Sequence, residues 1–124
     1  MDHLTEAIYL LHAQILKALA NPRRLMILDL LQAGEQSVND LETALVLPHV
    51  NVAQHLAALR AEGLVRVRRD GSTVYYSLVS NRIAEACDLF HQFLSERMHA
   101  DPVPVDPTPP TPDPEESPVF AARD

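Results

Sequence analysis

Four residues in one short stretch carry side chains that can read hydrogen-bonding edges. His49, Asn51, Gln54 and His55 lie near the start of a segment in which Val52, Leu56 and Leu59 recur at helical spacing. This reading places all four on the solvent side of that helix. Asn and Gln there can pair bidentately with adenine, and the imidazoles can donate or accept. Arg60 lies further along the same helix. A second group follows at once: Arg66, Arg68 and Arg69, with Ser72 and Thr73 just beyond them. Guanidinium and hydroxyl groups of this kind hold phosphate and sugar. Taken alone, a polar helix face is usually just solvated, and a basic strand is often a guard against edge pairing. In this order the two groups match the chemistry of duplex DNA: base edges first, backbone second.

The elements that must position these groups are legible. Leu4, Ile8, Leu11, Ile15 and Leu19 recur at helical spacing, widened by Tyr9 and Leu16, so a first helix spans 4–19. Asn21 caps a second helix with Pro22 in its first turn, and Gly34 closes it. Leu25, Ile27, Leu28 and Leu31 are its apolar positions. Ser37 and Asp40 form a capping-box variant that opens a third helix, whose buried side is expected to be Leu41, Leu45 and Val46. Pro48 forces a tight connection into the fourth helix, from about Val50 to Glu62. The period then changes from helical to alternating. Leu64 to Arg69 is a strand, Asp70-Gly71 a hairpin turn, and Thr73 to Val79 the returning strand. A last helix covers about 81–98, with Ile83, Cys87, Phe90, Leu94 and Met98 on one stripe. The expected fold is mainly α with a small β-hairpin, in the order ααααββα. Two short helices joined by a tight turn and backed by a hairpin make a winged helix-turn-helix.

Composition bounds the function. The chain has 124 residues and a formal net charge of −7. Residues 1–100 hold 9 Lys and Arg against 11 Asp and Glu, a net of −2; residues 101–124 hold 1 against 6, a net of −5. Eight of the ten prolines also fall after Asp101. Residues 1–100 are therefore read as one domain and 101–124 as a disordered, Pro-rich acidic tail. No apolar run is long enough to span a membrane, and Met1-Asp2-His3 lacks the basic start of a secretion signal. A cytoplasmic protein is expected. No Ser-His-Asp, paired-carboxylate or Gly-rich phosphate arrangement points to an enzyme, and no cofactor is implied.

The stretches LKALANPRRLMILDLL, SVNDLETAL, NVAQHLAALRAEGLV and RRDGSTVYYSL, spread over about residues 15–80, resemble the winged-helix repressors of the ArsR family. The resemblance implies a homodimer built from the first and last helices, with Leu4, Ile8, Leu11 and Ile15 meeting Ile83, Cys87, Phe90 and Leu94. It implies that the helix around Gln54 enters the major groove of operator DNA and that the wing lies near the flanking minor groove. It implies repression released by a chemical signal. Ala53 and Ser72 depart from the family, which often has Ser at the first position and Lys or Arg at the second.

The family's metal residues are not carried over. Where arsenic- and cadmium-type members have three cysteines, this chain has Ser37, Asn39 and Glu42, and soft metals need thiolates. The zinc-type positions hold Ser80, Arg82, Phe93 and Glu96, of which Glu96 alone could ligate. His91 and His99, two turns apart, are too widely spaced to chelate one ion without help from His3 or His12. Cys87 is a candidate thiol sensor, although acidic Glu85 and Asp88 beside it would raise its pKa. Tyr9, Phe90, Phe93 and Met98 serve either as dimer core or as the wall of a small-molecule inducer pocket. The expected function is a sequence-specific, homodimeric transcriptional repressor released by a non-classical signal, a small molecule or thiol chemistry. The alternative is a winged-helix module that binds protein instead of DNA; the low net charge leaves room for it.

Overall fold

The computed structural model describes residues 3–100, with side chains from Thr5 onward. Leu4 and the expected acidic tail, 101–124, therefore lie outside what can be described at the side-chain level. The chain divides after Ser80 into two compact units. The first holds α1 (His3–Leu19), α2 (Pro22–Gln32), β1 (Gln36–Ser37), α3 (Val38–Leu45), α4 (His49–Ala61), β2 (Val65–Asp70) and β3 (Thr73–Leu78). The second contains α5 (Arg82–Ala100). This is the expected winged helix-turn-helix order with one addition. The two-residue strand β1 pairs antiparallel with β3, Ser37 opposite Tyr75, so the hairpin becomes a three-stranded sheet in the order β1-β3-β2. Two residues carry no alternation, so sequence could not announce that strand.

Local chemistry explains the boundaries. The Asn21 side chain accepts from the backbone N–H groups of Arg23 and Arg24, and Pro22 occupies the first helical turn. Ser37 Oγ accepts from the Asp40 N–H at 3.0 Å while the Asp40 carboxylate accepts from the Ser37 N–H at 3.1 Å, a complete capping box. The core of the first unit is Ile27, Leu28 and Leu31 of α2, Leu41 and Leu45 of α3, and Val52, Leu56 and Leu59 of α4, all buried. Each such side chain contributes about 1.5–3 kcal/mol by leaving water.

Val46 corrects the expected core. It is 85% exposed, because it ends α3 in the left-handed conformation, φ 54°, which turns its side chain off the buried stripe. A β-branched residue is strained there, yet the turn is needed to send the chain into Leu47 and α4. Replacing Val46 by Gly should therefore stabilise the protein by about 1 kcal/mol. Thermal melting checks this; an unchanged or lower Tm would show that the left-handed turn is not strained.

Candidate nucleic-acid interface

The fourth helix packs against α1, α2, α3 and β2, so its buried arc is wide and its free arc narrow. That arc decides which side chains can reach a partner. Val52, Leu56 and Leu59 point inward as expected, but Asn51 and His55 do too, each fully buried. Both were expected on the solvent face, and the structure removes both as base readers. The reason lies in the period: stepping back four residues from buried Leu59 reaches His55 and then Asn51. The open arc consists of Val50, Gln54, Ala57 and Ala61, flanked by Ala53, His49 and Arg60. Gln54 is the one polar side chain at its centre. Val50, 49% exposed, was missed because only polar residues were sought; an apolar side chain on such an arc suits a thymine methyl.

His55 instead helps to fix the helix. Arg24 Nε donates to His55 Nδ1 at 3.2 Å, and Arg24 Nη1 donates to the Ala18 carbonyl at 3.0 Å. One guanidinium thus ties α4 to the end of α1. The far end of α4 is held by the Gln14 amide donating to Glu62 at 2.8 Å. At the near end, His49 Nδ1 lies 2.7 Å from Glu42 of α3 and its ring remains exposed. The carboxylate accepts the Nδ1 proton, which turns Nε2 outward.

The wing divides its three arginines. Antiparallel register places Arg66 opposite Ser77, Arg68 opposite Tyr75 and Arg69 opposite Val74. With a period of two, Arg69 lies on the face of Val65 and Val67, and Arg66 and Arg68 on the other. The local cluster expected from the sequence is therefore two separate presentations. Arg68 is engaged: its Nε and Nη2 meet both oxygens of Glu35 at 3.0 and 2.7 Å, and its guanidinium lies 4.5 Å from the Tyr75 ring centroid. This bidentate bond holds the Glu35 carboxyl below its ordinary range, burial opposing only in part. The clamp is accordingly fully present above the ordinary Glu range and lost only as pH falls through the lowered folded value. At neutral pH the charge of Arg68 is compensated. Arg66 reaches the Val79 carbonyl at 3.4 Å, and Arg66, Arg69 and Ser72 are exposed, with Thr73 half-buried.

Residues 21–67 match the family described as "Bacterial regulatory protein, arsR family". The transcriptional activator HlyU of Vibrio cholerae is 44% identical over 78 residues, which cover 63% of this chain and 72% of HlyU. The chain belongs to the ArsR family. The solved structure of reduced HlyU superposes with a TM-score of 0.66 at 38% identity, covering 74% of this chain and 97% of that one. A solution structure from Mycobacterium bovis, described as a homodimeric winged helix-turn-helix DNA-binding domain, gives a TM-score of 0.69 at 34% identity, covering 82% of this chain and 94% of its own. The biofilm growth-associated repressor of Agrobacterium fabrum is 35% identical over 79 residues, 64% of this chain and 68% of the repressor. The protein is thus an ArsR-type, DNA-binding transcriptional regulator with a winged helix, and its relatives are regulators rather than enzymes.

The wing arginines of this ArsR-type chain should separate by salt. Arg69→Ala should weaken binding to every duplex and flatten the salt slope by about one, whereas Arg68→Ala should leave the slope nearly unchanged. Anisotropy titrations from low to high salt measure both; equal flattening would show that the Glu35 clamp opens on DNA.

Among the described residues no three His, Cys, Asp or Glu side chains converge as a metal site, and His91 and His99 are exposed. Cys87 is half-buried, and burial, with Asp88 second, pushes its thiol up. A raised thiol is the less reactive form. No described helix is long and apolar enough to cross a membrane.

Proposed function

We propose that this chain is a cytoplasmic, homodimeric repressor that occupies operator DNA, catalyses no reaction, and is released by a small-molecule inducer. The observation that carries the reading is the open arc of α4: Gln54 between Val50 and Ala57, beside a wing carrying Arg66 and Arg69. In this reading Gln54 reads a base pair in the major groove. Val50 contacts a methyl group, and Arg60, Arg66, Arg69, Ser72 and Thr73 hold backbone or minor groove.

Exposed apolar side chains on two helices support the dimer. Ile8 and Leu11 on α1 are 56% and 58% exposed, and Phe90 and Leu94 on α5 are 61% and 42% exposed. Ile15, Ile83 and Cys87 are half-buried on the same stripes. Rows of this kind mark surfaces that another chain covers. Cys87 is half-buried beside Asp88 and is not set up as an activated thiolate, which leaves a small molecule as the signal of this reading. A repressor blocks transcription by occupancy, so binding upstream of its own gene is the expectation. Footprinting of that DNA with light scattering of the protein tests this. Two protected half-sites about one helical turn apart and a dimer mass are expected; one protected half-site with a monomer mass would overturn the dimer.

A further inference from the structure

Between the wing and α4 lies a groove of about 200 Å³, lined by residues 37–39, His49 and residues 72–74. Three separate segments build it: the passage from β1 into α3, the first residue of α4, and the wing strand just past Gly71. The pairing of Ser37 with Tyr75 fixes the wing segment against α3. Ser37 is consumed by its capping box. The remaining polar side chains are the Asn39 amide, the His49 ring, and the Ser72 and Thr73 hydroxyls. None of the lining side chains is a carboxylate, so the groove does not suit a hard cation, which takes many oxygen ligands. Neutral hydrogen-bonding groups with one titratable imidazole suit an oxyanion of low charge. The groove also opens between the Gln54 arc and the wing, the place where the operator reading takes a DNA strand from major groove to flanking minor groove.

Resting on the operator reading, we infer that this groove seats one DNA backbone phosphate per half-site, held by Asn39, His49, Ser72 and Thr73. The contact sets the register of α4, as phosphate contacts do. Three of these groups are neutral, so they add affinity without releasing counterions. His49 behaves differently. Glu42 of α3 takes the Nδ1 proton, so Nε2 of the neutral ring is an acceptor, and the imidazolium presents an N–H there. Glu42 faces the ring from α3, where Asp40 is held in the capping box; the lining residues of the wing are uncharged. A seated phosphate therefore takes a hydrogen bond from this ring only in its imidazolium form.

The test uses the full chain and its upstream duplex. Asn39→Ala and Thr73→Val should each weaken binding about five- to tenfold on cognate and scrambled DNA alike, with an unchanged salt slope. His49→Ala should likewise weaken binding on both duplexes. A neutral methylphosphonate placed at each phosphate in turn should find one position per half-site whose penalty is smaller in Asn39→Ala than in the wild type. Selective wild-type binding with penalties that add at every phosphate would overturn the groove and leave the operator reading standing. Failure of the wild type to bind would overturn both. A thermal shift by inorganic phosphate alone, lost in Asn39→Ala, would reassign the groove to a free phosphoryl ligand.

Discussion

Gln54→Ala should narrow the preference for operator over scrambled duplex by relaxing specificity at one base step, at a cost of about 1–3 kcal/mol on the cognate site. The expectation follows from the geometry of α4. Its outer arc offers Val50, Ala57 and Ala61 beside Gln54, so in the proposed reading one amide carries the hydrogen-bonded part of base readout. Removing it leaves apolar contacts and backbone contacts, which hold the protein on any duplex. Affinity for scrambled DNA should therefore hardly change, and the salt slope should stay as it was. Gln54 is exposed, so the variant should melt within about 0.5 kcal/mol of the wild type. Competition titrations against single-base operator variants give the finer result: discrimination is lost at one base step and kept elsewhere. Equal loss on all duplexes would mean that Gln54 contacts backbone.

His55→Ala does the opposite. The imidazole is fully buried and accepts from Arg24, so the substitution opens a cavity and strips a part-buried donor of its acceptor. The combined cost is about 2–4 kcal/mol. In a domain of this size each kcal/mol lowers Tm by about 4–8 °C, so the protein should melt about 8–30 °C earlier. Below that temperature the folded fraction should keep its preference among duplexes, because Gln54 is untouched. Denaturant melts and anisotropy on the same preparation separate the two effects. Wild-type stability with lost selectivity would show that His55 faces DNA after all.

The two variants mark where the sequence was readable and where it was not. Caps announce themselves: Asn21 before Pro22, and Ser37 three residues before Asp40, bond as their types require. The change from helical to alternating period at Leu64 marks the wing without ambiguity. What failed was the inference from polarity to exposure. Asn51 and His55 are polar and near a helix start, yet four neighbouring elements pack on α4 and extend its buried arc past the apolar residues. Burial of a polar side chain depends on a partner far along the chain, here Arg24, and no local pattern reveals it. The same holds for the wing. Arg68 is neutralised by Glu35, 33 residues away, and the pleat, not the spacing, assigns Arg69 to the other face. Val46 failed for a third reason, since its apolarity suggested burial and its left-handed backbone decided otherwise. The family resemblance was legible because it rests on a linear run of motifs; the geometry of the site was not, because it rests on packing.

The central claim is that this regulator recognises a sequence through α4 and holds the backbone through its wing. Fluorescence anisotropy of the reduced protein on its own upstream DNA, against a scrambled duplex across a salt series, tests it most directly. The account predicts tighter binding to the upstream duplex at every salt concentration, with affinity for both duplexes falling steeply as salt rises. Equal weak binding to both duplexes, or binding without salt dependence, would contradict it and turn attention to a protein partner for the same surface.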